Sequence, residues 1–171
     1  MPVFRAPYFD NAEVELEEDD EGNEPGAFAP HETPEGAAAL RAFLALTPAD
    51  RMADSRHVFA YYADFREAVG GEDWLDEEMG IPETASDIWD NVTPGPISVT
   101  QGYDDRQWYV VMEAECAWEA EHGLMMVWHN GTRLTKVGGY DGHVSNSDAF
   151  ADEKLSDVVY AAIDRKYTTY L

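Results

Sequence analysis

The chain has 171 residues, of which 44% are hydrophobic and 12% aromatic, and it carries a formal net charge of −24. This length and composition predict one domain over residues 1–171 that buries a core without disulfides, and they argue against an intrinsically disordered acidic tract. The charge argues against direct contact with nucleic acid or with an anionic membrane surface, because both would be repelled.

The acidic residues are concentrated in the first half of the chain. No Lys or Arg lies between Asp10 and Glu35. The only base between Asp64 and Asp90 is Arg66. Such a surface would accelerate the encounter with a basic partner through long-range attraction. It would also serve solubility, or life in a saline cytoplasm, without any partner, and composition does not separate these interpretations.

Cys116 is the only cysteine, so the chain forms no internal disulfide and no zinc site built from cysteines. Its position in the apolar phase of a predicted strand favours a small buried hydrophobic residue over a nucleophile. The N-terminus lacks the basic and apolar regions of a signal peptide, and no run approaches the ~18 apolar residues of a membrane span. We therefore expect a soluble cytoplasmic protein.

Residues 1–32 predict two short extended segments and an acidic loop. The segments are Pro2–Phe9 and Ala12–Leu16, and the second alternates apolar and acidic residues. We expect them to pair at a sheet edge. From Glu17 to Pro30 the chain is acidic, rich in Gly and Pro and without periodicity, which is typical of an exposed loop.

Residues 33–92 predict a helical part. Thr33-Pro34 and Thr47-Pro48 each supply an N-cap followed by proline at the first helical position, so each is expected to begin a helix. An apolar stripe on the second helix is expected to face the core. Its members are Met52, Phe59, Tyr62, Phe65 and Val69. Shorter helical turns are predicted at residues 74–80 and 85–92.

Residues 96–146 predict an antiparallel sheet. Asn130-Gly131 is a strong two-residue hairpin turn. In the long strand before it, the even-numbered residues from Trp108 to Trp118 share one apolar face, while Glu113 and Glu115 stand on the other. The expected strands are Ile97–Gln101, Gln107–Trp118, Leu124–His129 and Thr132–Val137.

An amphipathic C-terminal helix is predicted over residues 152–166. Its apolar positions are Leu155, Val158, Val159, Ala162 and Ile163. Together these elements predict an α+β fold, with an antiparallel meander sheet of about four to six strands and helices packed on one of its faces.

Two histidine-containing loops flank the predicted hairpin. Glu121-His122 precedes its first strand and Asp141-Gly142-His143 follows its second, so the open end of the hairpin would bring the two loops together. Two imidazoles and two carboxylates in one place could share a proton or bind a divalent metal. The catalytic candidates are therefore Glu121, His122, Asp141 and His143, and the metal candidates are His122, Asp141 and His143.

A structural role for these loops is also open. A His before Gly often satisfies neighbouring backbone groups, and an Asp before Gly often caps a turn. The chain contains no Gly-x-Ser-x-Gly elbow, phosphate-binding loop or dinucleotide fingerprint, so acyl-transfer and nucleotide-dependent enzymes lose most of their support.

The same segment carries a sequence signature between Glu115 and Asn146. Trp118-Glu119-Ala120-Glu121-His122-Gly123-Leu124 opens the hairpin, and Tyr140-Asp141-Gly142-His143 follows it. This pattern resembles a bacterial family of single-domain proteins of unknown biochemical function. Similar proteins are found among small toxin-immunity candidates. The resemblance implies a binding protein that neutralises a partner, such as a basic nuclease toxin, by covering it.

Two functional hypotheses follow. The first is an acidic cytoplasmic interaction module that needs no cofactor and binds a basic protein. Its candidate contact residues are Asp76, Glu77, Glu78, Glu113 and Glu115. The second is a small metal-dependent enzyme or ligand-binding protein, centred on His122 and His143, that holds a divalent metal. Neither hypothesis determines the oligomeric state.

Overall fold

A computed structural model describes residues 1–17, 29–70 and 73–171, and within them it confirms the α+β class. The strands are β1 (Val3–Ala6), β2 (Ala12–Glu15), β3 (Val92–Thr93), β4 (Ile97–Gln101), β5 (Trp108–Cys116), β6 (Leu124–His129), β7 (Arg133–Gly138), β8 (Val158–Tyr160) and β9 (Thr169–Tyr170). The α-helices are α1 (Pro34–Phe43), α2 (Pro48–Ala68), α3 (Asp73–Met79) and α4 (Asn146–Phe150).

Strands β3 to β7 form one antiparallel sheet with β5 near its centre. Strands β4 and β3 pair with successive parts of β5 along one side, β6 pairs along the other side, and β7 lies beyond β6. The predicted meander is therefore confirmed. Asn130 and Gly131 turn the hairpin between β6 and β7 with φ angles of 50° and 69°, as a two-residue turn requires. A Cβ on Gly131 would lie 1.9 Å from the carbonyl oxygen of Ala39, so the tip of the hairpin packs directly against α1.

The N-terminal segments pair with each other, as expected. Strands β1 and β2 form a separate antiparallel hairpin. It joins the edge of the main sheet through a parallel bridge between Leu16 and Ile97, where the Glu17 N–H donates to the Ile97 carbonyl over 2.8 Å. Most of the predicted acidic loop, residues 18–28, lies outside the described residues.

The two main helices begin where their caps predict. The Thr33 hydroxyl accepts a hydrogen bond from the Gly36 N–H at 3.0 Å, and the Asp50 carboxylate accepts from the Thr47 N–H at 2.7 Å. The stripe predicted for α2 is only partly correct, because Met52 is 48% exposed. Apolar and aromatic residues are continuous from 58 to 62 of α2, so their spacing alone does not decide which side of the helix faces the sheet.

Helices α1 and α2 pack on one face of the main sheet, and the core lies between them. From β5, the side chains of Val110, Met112 and Ala114 point into it. Trp128 of β6 is fully buried there, with its ring 4.9 Å from that of Phe43 and in edge contact with the ring of Tyr8. The two main helices therefore share one face, as predicted, whereas the short α4 belongs to the segment that borders the opposite face.

The predicted C-terminal helix over residues 152–166 is wrong. Strand β8 lies in the middle of that range and pairs with β9, and only short 3₁₀ turns at Glu153–Leu155 and Arg165–Tyr167 flank it. Val158, Val159 and Tyr160 are all buried, because both sides of this short strand are covered. Ile163, expected on the apolar face of a helix, is 83% exposed. Consecutive β-branched residues with partners on both sides favour a strand over a helix.

Asp64 fastens this C-terminal segment to α2. Its carboxylate is buried and accepts three hydrogen bonds, from the Tyr160 hydroxyl and from the backbone N–H groups of Ile163 and Asp164, at 2.7 to 3.0 Å. A buried carboxylate needs such donors to offset its lost hydration. Residues 158–164 are thus held by a side chain that lies far away in sequence.

Candidate functional site

The face of the main sheet that points away from α1 and α2, here called the outer face, is only partly covered. Since side chains alternate along β5, Glu113 and Glu115 lie on this face and are exposed, as predicted. A small second core lies beside them, formed by Tyr109, Val111, Met125 and Val127 and covered in part by Val144. The outer face therefore combines a short apolar floor with acidic side chains.

A cleft of about 600 Å³ lies over this floor. One wall is β4 with the turn that follows it, and the other is the segment from Tyr140 to Glu153. Among the described residues that line the cleft, none is Lys or Arg. Its acidic lining residues are Asp104, Glu113, Asp148, Asp152 and Glu153. A concave surface with one sign of charge attracts and retains ligands of the opposite sign.

A second cleft of about 350 Å³ adjoins the first. Glu113 and Tyr140 line both clefts, so these two residues mark the boundary where the clefts meet. Glu115 and His122 lie on the far side of that boundary. The acidic surface thus continues along the outer side of β5.

The two histidine loops do meet at the open end of the hairpin. The Tyr140 N–H donates to the His122 carbonyl oxygen over 2.9 Å, which confirms their predicted proximity. Glu119, however, organises the first loop from within. Its carboxylate lies 2.9 Å from Nδ1 of His122 and also accepts hydrogen bonds from the backbone N–H groups of Glu121 and His122.

Lys136 organises the second loop, and sequence reasoning missed it. Its Nζ donates to the Asp141 carboxylate and, over 2.8 Å, to the His143 carbonyl oxygen. Asp141 also accepts from the His143 N–H, and Nδ1 of His143 lies 2.8 Å from the Asp141 carbonyl. Burial lowers the pKa of Lys136, while the neighbouring Asp141 opposes that shift. One signal was available: no other Lys or Arg lies between Arg133 and Lys154.

The histidines and carboxylates of the two loops do not converge on a common point. In the part of the chain that the structure describes, no group of three or more His, Cys, Asp or Glu side chains is placed to hold a metal ion. His122 and His143 instead each contact an acidic residue of their own loop. This geometry supports the structural interpretation of these loops.

The five candidate contact residues lie in two places. Asp76 is on α3 and forms a two-point ion pair with Arg66, at 2.7 and 2.6 Å, so its charge is already balanced. Glu77 and Glu78 are exposed on the same helix. Glu113 and Glu115 stand on the outer face of the sheet, and only these two line the clefts.

Cys116 is buried on the inner side of β5, as expected for a small hydrophobic residue. Burial raises the pKa of its thiol to about 12, so the reactive thiolate is disfavoured at neutral pH. Its Sγ lies 3.4 Å from the Glu119 carbonyl oxygen.

Fold and clefts together define a small α+β protein whose antiparallel sheet is covered by α1 and α2 on one face and is partly open and acidic on the other. Residues 2–144 match the domain of unknown function DUF6985, and the chain belongs to that family. The match includes both histidine loops and ends before α4. No curated protein and no solved structure matches the chain. Among the described residues, no helix has the length and apolarity needed to cross a membrane.

Proposed function

We propose that this protein is a non-enzymatic interaction module that binds a basic protein through the outer face of its sheet. The observation that carries the proposal is the larger cleft, where five acidic side chains surround an apolar floor and none of the described lining residues is Lys or Arg. The chain's net charge of −24 extends the same attraction beyond the cleft.

The cleft supports this proposal for a physical reason. Carboxylates at the rim of an interface increase the association rate with a basic partner, and an apolar floor contributes to affinity once water is excluded. Val111 and Met125 provide that floor, and Glu113 stands beside them. Neutralisation of a basic toxin in the cytoplasm is the particular role that the charge and the family resemblance favour.

The first experiment is affinity capture on the immobilised full-length protein, with elution by salt and identification by mass spectrometry. The association rate of the captured protein is then measured with two matched double variants. Glu113→Lys with Glu115→Lys alters the outer face, and Glu77→Lys with Glu78→Lys makes the same charge change on α3. We expect the first pair to slow association about tenfold and the second pair less than about twofold.

Equal effects of the two double variants would show that only total charge matters, and this would contradict the assignment of the outer face. Failure to capture any basic protein, together with stoichiometric binding of zinc that His122→Ala abolishes, would support the metal-dependent hypothesis instead. Both results are read at matched thermal stability of the variants, so that unfolding is not mistaken for lost binding.

A further inference from the structure

The two clefts on the outer face adjoin each other, because Glu113 and Tyr140 line both. A ligand longer than the larger cleft would reach the smaller one past these two residues. We call the combined feature the outer groove. It begins beside Tyr103 and Asp104, in the turn after β4, and continues to Glu115 and His122.

The shape of the outer groove suits an extended chain. The groove follows β5, and the four-residue step from Val111 to Glu115 alone covers about 13 Å at the rise of a β-strand. The turn that carries Tyr103 extends it further in the opposite direction. A peptide in β conformation would therefore place about five or six residues in the groove.

Tyrosines stand next to acidic residues in two parts of the groove. Tyr103 is 89% exposed and is followed in sequence by Asp104. Tyr140 is 47% exposed and adjoins Glu113 at the boundary of the two clefts. A tyrosine face attracts a cation, and a carboxylate accepts hydrogen bonds from it. A planar guanidinium can use both contacts at once, whereas a lysine ammonium is a more strongly hydrated point charge.

We propose that the outer groove binds an extended, arginine-bearing segment of the partner, with guanidinium groups on Tyr103 and Tyr140 and against the neighbouring carboxylates. This inference rests on the proposed function, because it names the part of a basic partner that the outer face takes. Charge complementarity selects a cationic segment, and the exposed tyrosine rings select arginine over lysine.

The test uses the full-length protein and peptides with blocked termini at about 0.15 M salt, where non-specific attraction is largely screened. The probes are octa-arginine, octa-lysine and tri-arginine, and binding is measured by titration calorimetry. We expect octa-arginine to bind at least about threefold more tightly than octa-lysine. Tri-arginine should bind far more weakly, because it fills only about half of the five or six residue positions of the groove and carries fewer charges.

Three tyrosine variants separate the contribution of ring stacking from that of charge. Tyr103→Leu removes the aromatic face without changing charge and should weaken octa-arginine binding about threefold, whereas Tyr103→Phe keeps the face and should change it little. Tyr170→Leu is the control, since Tyr170 is half exposed on β9 and does not line either cleft. A charge-matched pair, Glu113→Gln and Glu78→Gln, should weaken binding only in the first case.

Equal affinities for octa-arginine and octa-lysine, with no effect of Tyr103→Leu, would overturn this inference. If a folded basic protein still binds through Glu113 and Glu115 in that case, the proposed function stands and only the peptide mode fails. If neither peptides nor basic proteins bind, both proposals fail together.

Discussion

The two faces of β5 contrast sharply although their residues alternate along one strand. Inward-pointing Val110, Met112 and Ala114 are buried under α1 and α2 in the main core. Outward-pointing Val111 joins a much smaller cluster, and Glu113 beside it is exposed. Stability is therefore concentrated on the inner face, and this leaves the outer face able to carry uncompensated charge.

The two sides of the sheet also differ in the burial and hydrogen bonding of their carboxylates. On the helical side, Asp64 is buried and surrounded by hydrogen-bond donors. In the outer groove, Asp104 and Glu113 line the surface, and none of the described lining residues is Lys or Arg. The first arrangement is typical of a group that stabilises the fold, and the second is typical of a group that meets a partner.

Adjacent substitutions on β5 should show the contrast most strongly. Met112→Ala removes a fully buried side chain and should lower the free energy of unfolding by about 3 kcal/mol. Glu113→Ala should change it by less than about 0.5 kcal/mol, because that side chain is exposed. Urea denaturation of both variants checks this, and similar losses would show that the outer face also contributes to the core.

Asp64→Asn tests the fastening of the C-terminal segment. The amide would place an N–H group against donors that now meet a carboxylate oxygen, so we expect a loss of about 2 kcal/mol in stability. Amide hydrogen exchange should show the largest loss of protection in residues 158–164. Asp104→Asn is the matched control, since it removes the same charge from the exposed groove. Uniform loss of protection across the sheet would contradict a local fastening role.

Asp54 and His57 on α2 should make the free energy of unfolding change with pH in opposite directions. Burial raises the pKa of Asp54 to about 6, although a hydrogen bond from Tyr8 opposes the shift. The folded state then binds this proton more tightly than the unfolded chain, so this contribution to stability falls as pH rises from about 4 to about 6. Burial lowers the pKa of His57 to about 4, so the contribution of His57 falls as pH drops below about 6.5.

The two variants Asp54→Asn and His57→Asn should reveal these opposing slopes. From pH 4 to pH 6, the free energy of unfolding of Asp54→Asn minus that of the unmodified protein should rise by about 1.5 kcal/mol. This is about half of the free energy that corresponds to the full difference in the pKa of Asp54 between the folded and unfolded states, because the group is only partly buried. The same difference for His57→Asn should fall by a comparable amount over the same interval. Thermal unfolding at several pH values measures both, and parallel curves would contradict the assignment.

Lys136→Met should lower the free energy of unfolding only slightly, by about 1 kcal/mol or less. Methionine fills the buried space, and Asp141 is exposed enough to be hydrated without its partner. The loop from Gly139 to His143 should nevertheless lose its anchor, seen as faster hydrogen exchange at the His143 amide. Lys154→Met changes the same charge at an exposed site and should leave that amide unaffected. Unchanged protection in Lys136→Met would show that the loop is held by other contacts.

Much of the site was accessible from the sequence, but not the residue that anchors its second histidine loop. The alternation along β5 placed Glu113 and Glu115 on the open face, and the position of the hairpin predicted that the loops of His122 and Asp141 would meet. The role of Lys136 was missed because a basic residue in a strand is ordinarily assigned to solvent. It is buried because the loop after β7 folds back over it.

The sequence by itself determined the elements with strong local signals. Threonine-proline pairs start α1 and α2, and Asn130-Gly131 turns the hairpin, because capping and positive φ are properties of a few neighbouring residues. Only the tertiary structure decided that Val158 to Tyr160 form a strand, and that β4 and the segment from Tyr140 to Glu153 enclose the larger cleft. These outcomes depend on contacts between residues far apart in sequence, which override local periodicity and leave no signal within any short window.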